Sequence, residues 1–244
     1  PIIATINGQT LHNHYHGNTL KEGDLFLVDA GYENEMCYAG DLSSTIPVSK
    51  KFTPVQKDIY QLSLDAHEAA IAAAQLNRPF RNVHLAATRT IFDGLKVMGL
   101  TKGNTDDALE AGAHALFFPC GTGHMMGLDV HDMEDLGEMW VGYDGQPKST
   151  QFGLKSLRLA KPLKPGHVYT IEPGIYFIPE LMDLWRSQNR FNEFINWEEV
   201  YKYRNFGGVR NEEDFVMTAN GAQLLGKPKP KRVEDIEAIR GSAL

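Results

Sequence analysis

Five acidic or imidazole residues stand out by their positions: Asp29, Asp41, His124, Glu172 and Glu212. Each lies on or beside a run that reads as a β-strand, not in the polar loops where solvated charges normally sit. Asp29 ends the run Leu25-Phe-Leu-Val28, and Glu172 is embedded in Val168-Tyr-Thr-Ile-Glu-Pro-Gly-Ile-Tyr176. An unpaired carboxylate buried in such a place costs on the order of several kcal/mol. A paired core carboxylate or a turn cap would explain any one of them, but basic residues near these strands are too few to pair with four. Four carboxylates and one neutral imidazole carry a charge of −4, which two divalent cations neutralise. Hard oxygen ligands with a single nitrogen suit Mn²⁺, Co²⁺, Zn²⁺ or Fe²⁺, with geometry and not affinity deciding among them.

The elements that must position these residues follow from the patterning. Asp24–Ala30 is a short apolar run closed by Gly31 and reads as a buried strand, with 37–48 as its hairpin partner. Thr53-Pro-Val-Gln56 combines an N-cap threonine, proline at the first helical position and glutamine at the third, the pattern of a capping box. The spacing of Val55, Ile59, Leu62, Ala66, Ala69, Ala70 and Ala73 predicts a long helix to about Asn77 with one apolar stripe. A second helix is expected from about Phe80 to Met98, its stripe Val83, Ala87, Ile91, Leu95 and Met98, with Gly99 at the left-handed cap. A shorter helix follows near 106–115, and the apolar runs 168–178 and 209–218 read as strands. Between those two runs, 179–206 reads as a long loop packing its own aromatics, Trp185, Phe191, Phe194, Trp197, Tyr201 and Tyr203, with a wall of the substrate pocket as the alternative. No linker or repeat interrupts the chain, so residues 1–244 are read as one α+β domain.

Composition narrows the function classes. The 244 residues are 42% hydrophobic and 23% charged, which is globular and neither disordered nor fibrous. The net charge is −7, and the basic residues are scattered apart from Lys227-Pro-Lys-Pro-Lys-Arg232, so a nucleic-acid partner is not expected. Two cysteines, Cys37 and Cys120, make no disulfide framework and favour a reduced, cytoplasmic setting. No stretch approaches the roughly 18 to 20 apolar residues of a membrane span, and the start lacks the charged flank of a signal peptide.

The contexts of the five residues resemble the pita-bread metallopeptidases, and within that family its aminopeptidase P and prolidase branches. The matching stretches are Leu27-Val-Asp-Ala-Gly31, Tyr38-Ala-Gly-Asp41, Phe117-Phe-Pro-Cys-Gly-Thr-Gly-His124 with Gly127-Leu-Asp-Val-His-Asp132, Thr170-Ile-Glu-Pro-Gly-Ile-Tyr176, and Gly208-Val-Arg-Asn-Glu-Glu-Asp214. The resemblance spans nearly the whole chain and implies a curved antiparallel sheet covered by helices. It implies two divalent metal ions, most readily Mn, with Co or Zn as alternatives. Asp29 would hold one metal, Asp41 and Glu212 would bridge both, and His124 and Glu172 would complete the other. A water shared by the metals would be the nucleophile, Glu172 its general base, and His131 a hydrogen-bond donor to the substrate carbonyl as charge develops. His12 would face the substrate, and Arg210 would hold the pocket together or meet substrate, with a salt bridge to a ligand carboxylate as the simpler role. His14 and His16 are read as rim or surface imidazoles.

The implied reaction is removal of an N-terminal residue preceding proline, by a homodimer acting on peptides with proline second. Prolidase action on dipeptides, or a catalytically silent binding module of the same fold, are the alternatives. Methionine aminopeptidase and creatinase fit less well, the first for want of so long an insertion, the second for lacking the metals. Three departures bear on these expectations. Cys120 stands where relatives commonly have histidine, Asn211 replaces an apolar residue before Glu212, and Asp41-Leu-Ser-Ser-Thr45 lacks an arginine. The chain also starts on the strand that the covering helices of the first half would precede. It is therefore expected to be the C-terminal part of a longer catalytic protein, N-terminally incomplete.

Overall fold

The computed structural model describes residues 2–243; Pro1 and Leu244 lie outside the described residues. The chain runs β1 (Ile3–Ile6), β2 (Leu25–Glu33), β3 (Ala39–Pro47), α1 (Pro54–Ala73), α2 (Arg81–Val97), α3 (Thr105–Ala111) and α4 (Glu138–Tyr143). It continues through β4 (Val168–Ile171), β5 (Gly174–Phe177), α5 (Pro179–Ser187), α6 (Trp197–Val200), β6 (Gly207–Arg210), β7 (Glu213–Thr218), β8 (Gly221–Leu224) and α7 (Val233–Ala243). All the strand pairings are antiparallel. β1, β2 and β3 form one sheet in that order, β4, β7 and β8 a second, and β5 and β6 a two-stranded third. β3 lies against β6 and β7, which closes the sheets around a common interior.

Local chemistry accounts for the helices. The Thr53 hydroxyl accepts from the Gln56 N–H while the Gln56 side chain accepts from the Thr53 N–H, so the capping box forms at α1 as its sequence requires. α1 ends at Ala73, four residues before the expected limit. Its buried face also differs from the apolar stripe. Val55, in the first turn, is 46% exposed, whereas Gln56, Tyr60, Ser63 and His67 are buried. Tyr60 and Ser63 look toward the turn before β7: the Tyr60 hydroxyl lies 3.1 Å from Asn211 Oδ1, and Asn211 Nδ2 reaches Ser63 Oγ at 3.5 Å. α1 therefore packs on β4, β5 and β6 with a partly polar face. α2 keeps Val83, Ala87, Ile91 and Leu95 buried as the spacing demands, and Gly99 adopts φ +81° just past its end. α1 and α2 are the one pair of long helices among the described residues.

Two expectations are refined by the structure. The apolar runs 168–178 and 209–218 do form strands, but each is interrupted, the first at Glu172-Pro173 and the second at Asn211-Glu212. Proline removes a ladder donor, and the ladder stops at Ile171↔Glu213 before resuming at Gly174↔Arg210. The segment 179–206 is also not a loop. It carries α5, α6 and a turn of 3₁₀ helix at Tyr201–Tyr203. Its aromatics pack inward as the sequence suggests, Trp185 on Phe152 and Phe191, and Tyr203 and Phe206 on Phe177.

Candidate metal centre

The breaks in the two strand pairs face one another, and each frees a carboxylate from the ladder. Glu172 leaves the end of β4 and Glu212 enters β7, so both side chains reach the interior that β2 and β3 also face. On those strands, Asp41 pairs with Gly31 and Ser43 with Asp29. Alternation then places Asp29, Asp41 and Ser43 on one side of the sheet. Gly31 is obligatory there, since a Cβ would fall 2.1 Å from the Gly40 carbonyl oxygen.

His124 arrives from the loop ahead of β4. Its N–H donates to Thr170 Oγ1 at 3.1 Å, its carbonyl accepts from the Thr170 N–H at 3.0 Å, and the Thr122 carbonyl accepts from the Glu172 N–H at 2.7 Å. Gly123 permits this contact, because a Cβ would lie 2.1 Å from the Thr170 carbonyl oxygen. The imidazole Nδ1 is 3.0 Å from the Met125 carbonyl, which leaves Nε2 aimed at the carboxylates. It stands 3.6 Å from Asp41 Oδ2 and 3.6 Å from Glu172 Oε1.

Donor atoms of Asp41, His124 and Glu212 all lie within 4.8 Å of one another, and all three residues are buried. Asp29 is held differently: its Oδ2 accepts from Arg210 Nη2 at 2.6 Å. Burial, followed by the charges of Glu172, Asp41 and Asp29, pushes the Glu212 carboxyl well above the usual carboxylate range. Burial also raises Glu172, and it raises Asp29 against the opposing pull of Arg210. His124 is raised although burial works against it, because the Asp41 hydrogen bond and the Glu172 charge outweigh that penalty. Buried carboxylates that raise one another's pKa lack positive charge, and a divalent cation among oxygen and imidazole donors supplies it. Asp41, His124 and Glu212 therefore fit a divalent metal ion.

Arg210 is 4% exposed, and its guanidinium serves Asp29, Ser43 Oγ (2.9 Å) and the Tyr176 hydroxyl (2.9 Å). This is the pocket-holding, salt-bridged arrangement. His131 does approach the centre: its ring meets His124 edge-on with centroids 4.3 Å apart, and it is 45% exposed. Burial, then His124 and Arg158, lowers its pKa to about 4, so it is neutral at pH 7 with an N–H to offer. His12 is exposed and lies within the fields of Arg210, Asp29 and Arg158, at the same open side. His16 is at the surface with Nε2 3.0 Å from the Ile2 carbonyl. Cys120 is set among Arg210, Glu172 and Tyr176, and burial pushes its thiol up to about 12, so it stays protonated.

Sequence reasoning missed several contributors. Asp214 Oδ2 accepts from the Asp41 N–H at 3.0 Å, and burial raises its pKa to about 7. Its place in the acidic run Glu212-Glu213-Asp214 is the signal that could have found it. Ser43, two residues after Asp41, follows from strand alternation. Tyr176 closes the stretch Thr170-Ile-Glu-Pro-Gly-Ile-Tyr176, whereas Arg158, ion-paired with Glu134, carries no local signal.

The chain is similar to several known proteins. The human Xaa-Pro dipeptidase is 38% identical over 237 residues, covering 95% of this chain and 46% of that protein. A probable Xaa-Pro aminopeptidase of Uncinocarpus reesii is 33% identical over 247 residues, covering 98% and 49%. Among solved structures, the Pseudomonas aeruginosa aminopeptidase PepP superposes with a TM-score of 0.78 at 34% identity, over 99% of this chain and 47% of that one. A zinc-substituted Escherichia coli aminopeptidase P in complex with product gives 0.78 at 31% identity, over 100% and 47%. The chain thus spans about half the length of the relatives it matches and has the pita-bread fold of aminopeptidase P. With the profile of metallopeptidase family M24 matching residues 1–219, the chain belongs to that family.

Proposed function

We propose that the protein is a metal-dependent exopeptidase that hydrolyses the bond between an N-terminal residue and a following proline, and that residues 1–244 belong to its catalytic domain as the C-terminal part of a longer protein. The observation that carries this reading is the convergence of Asp41, His124 and Glu212 within 4.8 Å, with Glu172 3.6 Å from the same imidazole nitrogen. Asp29, Asp41, His124, Glu172 and Glu212 would hold two divalent ions, manganese first, with cobalt or zinc as alternatives. Such a pair supplies a nucleophile by lowering the pKa of a shared water, and it stabilises an oxyanion.

The chain's own groups do the rest. Glu172, whose pKa is raised by burial, is suited to take a proton and return it to the leaving nitrogen. His131, neutral and half-exposed beside His124, donates to the scissile carbonyl oxygen. His12 lines the open side and orients the peptide. Arg210 keeps Asp29 in place from beneath. A homodimer in the cytoplasm is part of the same proposal; no described helix is long and apolar enough to cross a membrane.

A second reading, cleavage of Xaa-Pro dipeptides, is favoured by identities of 37–39% to four Xaa-Pro dipeptidases against 30–35% to four probable Xaa-Pro aminopeptidases. Elemental analysis of the purified protein, with release of the first residue from Xaa-Pro-Xaa and Xaa-Pro with and without Mn²⁺, tests both. Two metals and Mn-stimulated tripeptide cleavage are expected, and cleavage of the dipeptide alone would select prolidase. Two metals with no turnover of either would indicate a silent relative and direct attention to Cys120. Absence of bound metal would overturn the ligand assignment.

A further inference from the structure

We propose that Ser43 is the positioning residue that sets Glu212 and Arg210 for metal binding, an inference that rests on the metallopeptidase reading above. Ser43 is fully buried and lies opposite Asp29 in the β2–β3 ladder. Its hydroxyl contacts Glu212 Oε2 at 2.6 Å and Arg210 Nε at 2.9 Å. A guanidinium nitrogen can only donate, so the single hydroxyl proton must go to the carboxylate. The result is a directed chain, Asp29 accepting from Arg210, Arg210 donating to Ser43, and Ser43 donating to Glu212. Two candidate ligands, Asp29 on β2 and Glu212 at the break before β7, are thereby linked through one side chain.

The main chain of Ser43 completes the grip. Its carbonyl accepts the Glu212 N–H at 3.1 Å, so Glu212 is held at both backbone and side chain. The same carbonyl receives the Lys229 ammonium, which also reaches Ser44 Oγ at 3.0 Å. Lys229 lies between Pro228 and Pro230, whose rings restrict φ and keep the residue before each extended. The basic run near the C-terminus therefore serves as a rigid strap that anchors β3 over the carboxylates, with Lys231 bonded to Glu213 at 2.6 Å.

Without the hydroxyl, Glu212 Oε2 and Arg210 Nε both lose a buried partner. Groups that orient metal ligands in this way typically contribute about 10- to 100-fold to metal affinity. The test compares Ser43→Ala, Ser43→Thr and Glu212→Gln in the purified protein, by calorimetric titration with Mn²⁺ and by melting temperature of the metal-free form. Ser43→Ala should bind Mn²⁺ about 10- to 100-fold more weakly, and Ser43→Thr, which keeps the hydroxyl, should recover most of that loss. If Ser43→Ala binds as tightly as the parent while Glu212→Gln does not, the inference is overturned and the metallopeptidase reading stands. If Ala and Thr lose affinity equally, in step with melting temperature, Ser43 only packs and the inference is again overturned. A parent protein that takes up no Mn²⁺, like Glu212→Gln, would remove both.

Discussion

Lowering the pH from 7 to 5 should destabilise this fold by about 2 kcal/mol through His114 alone. His114 is 3% exposed, neither ring nitrogen has a hydrogen-bond partner among the described residues, and burial depresses its pKa to about 4 from 6.5. The unfolded chain takes up the proton below pH 6.5, whereas the folded imidazole stays neutral down to about 4. Stability from keeping His114 neutral is thus complete above pH 6.5 and declines as the pH falls toward 4. Between pH 6.5 and 5 the decline is about 1.5 pH units at about 1.4 kcal/mol each, which gives the figure above. The assay is urea unfolding at pH 7 and pH 5, in chelator, of the parent protein and of His114→Met. At pH 7 the variant should lie within about 1.5 kcal/mol of the parent, since an apolar side chain of similar volume replaces a ring with no hydrogen bond to lose. At pH 5 the variant should have gained about 2 kcal/mol relative to the parent. Ligand carboxylates titrate in both proteins and cancel in the comparison. If both proteins lose the same stability between the two pH values, His114 is not held neutral and the reasoning fails.

Glu212→Gln or Asp41→Asn should abolish binding of at least one metal, because each removes a charge from the buried cluster; two metals by elemental analysis with full activity would refute the assignment. His131→Ala should reduce kcat by more than it reduces metal affinity, since its ring meets His124 from the open side; equal losses in activity and metal content would make it structural. Thr53→Ala should cost about 1 kcal/mol in chemical denaturation by removing the acceptor for the Gln56 N–H, and an unchanged midpoint would show that the capping box contributes nothing.

Much of the helical architecture was legible because it rests on local chemistry. The capping box at Thr53, the apolar stripe of α2 and the left-handed Gly99 each depend on residues within four positions of one another. The polar face of α1 was not legible, because Tyr60 and Ser63 meet their partner Asn211, about 150 residues away, only in the folded chain. That contact also accounts for Asn211 itself, the departure from an apolar residue before Glu212: it is 1% exposed and bonded to α1.

The candidate ligands divide in the same way. Asp29, Asp41, His124, Glu172 and Glu212 were recognisable from type and context, since charged groups within apolar runs require an explanation wherever the chain goes. Their arrangement was not, because antiparallel register and facing strand breaks bring Glu172 and Glu212 together, and no local pattern encodes that pairing. The same holds for Arg210, whose partners Asp29, Ser43 and Tyr176 all lie more than thirty residues from it in the chain. Residue types and short-range spacing thus determine which groups can do chemistry and which segments fold locally, because those preferences act within a turn or a strand. Which oxygens converge, which cation is already committed and which hydroxyl holds them depend on contacts between residues far apart in the chain, and only the folded structure brings those residues together.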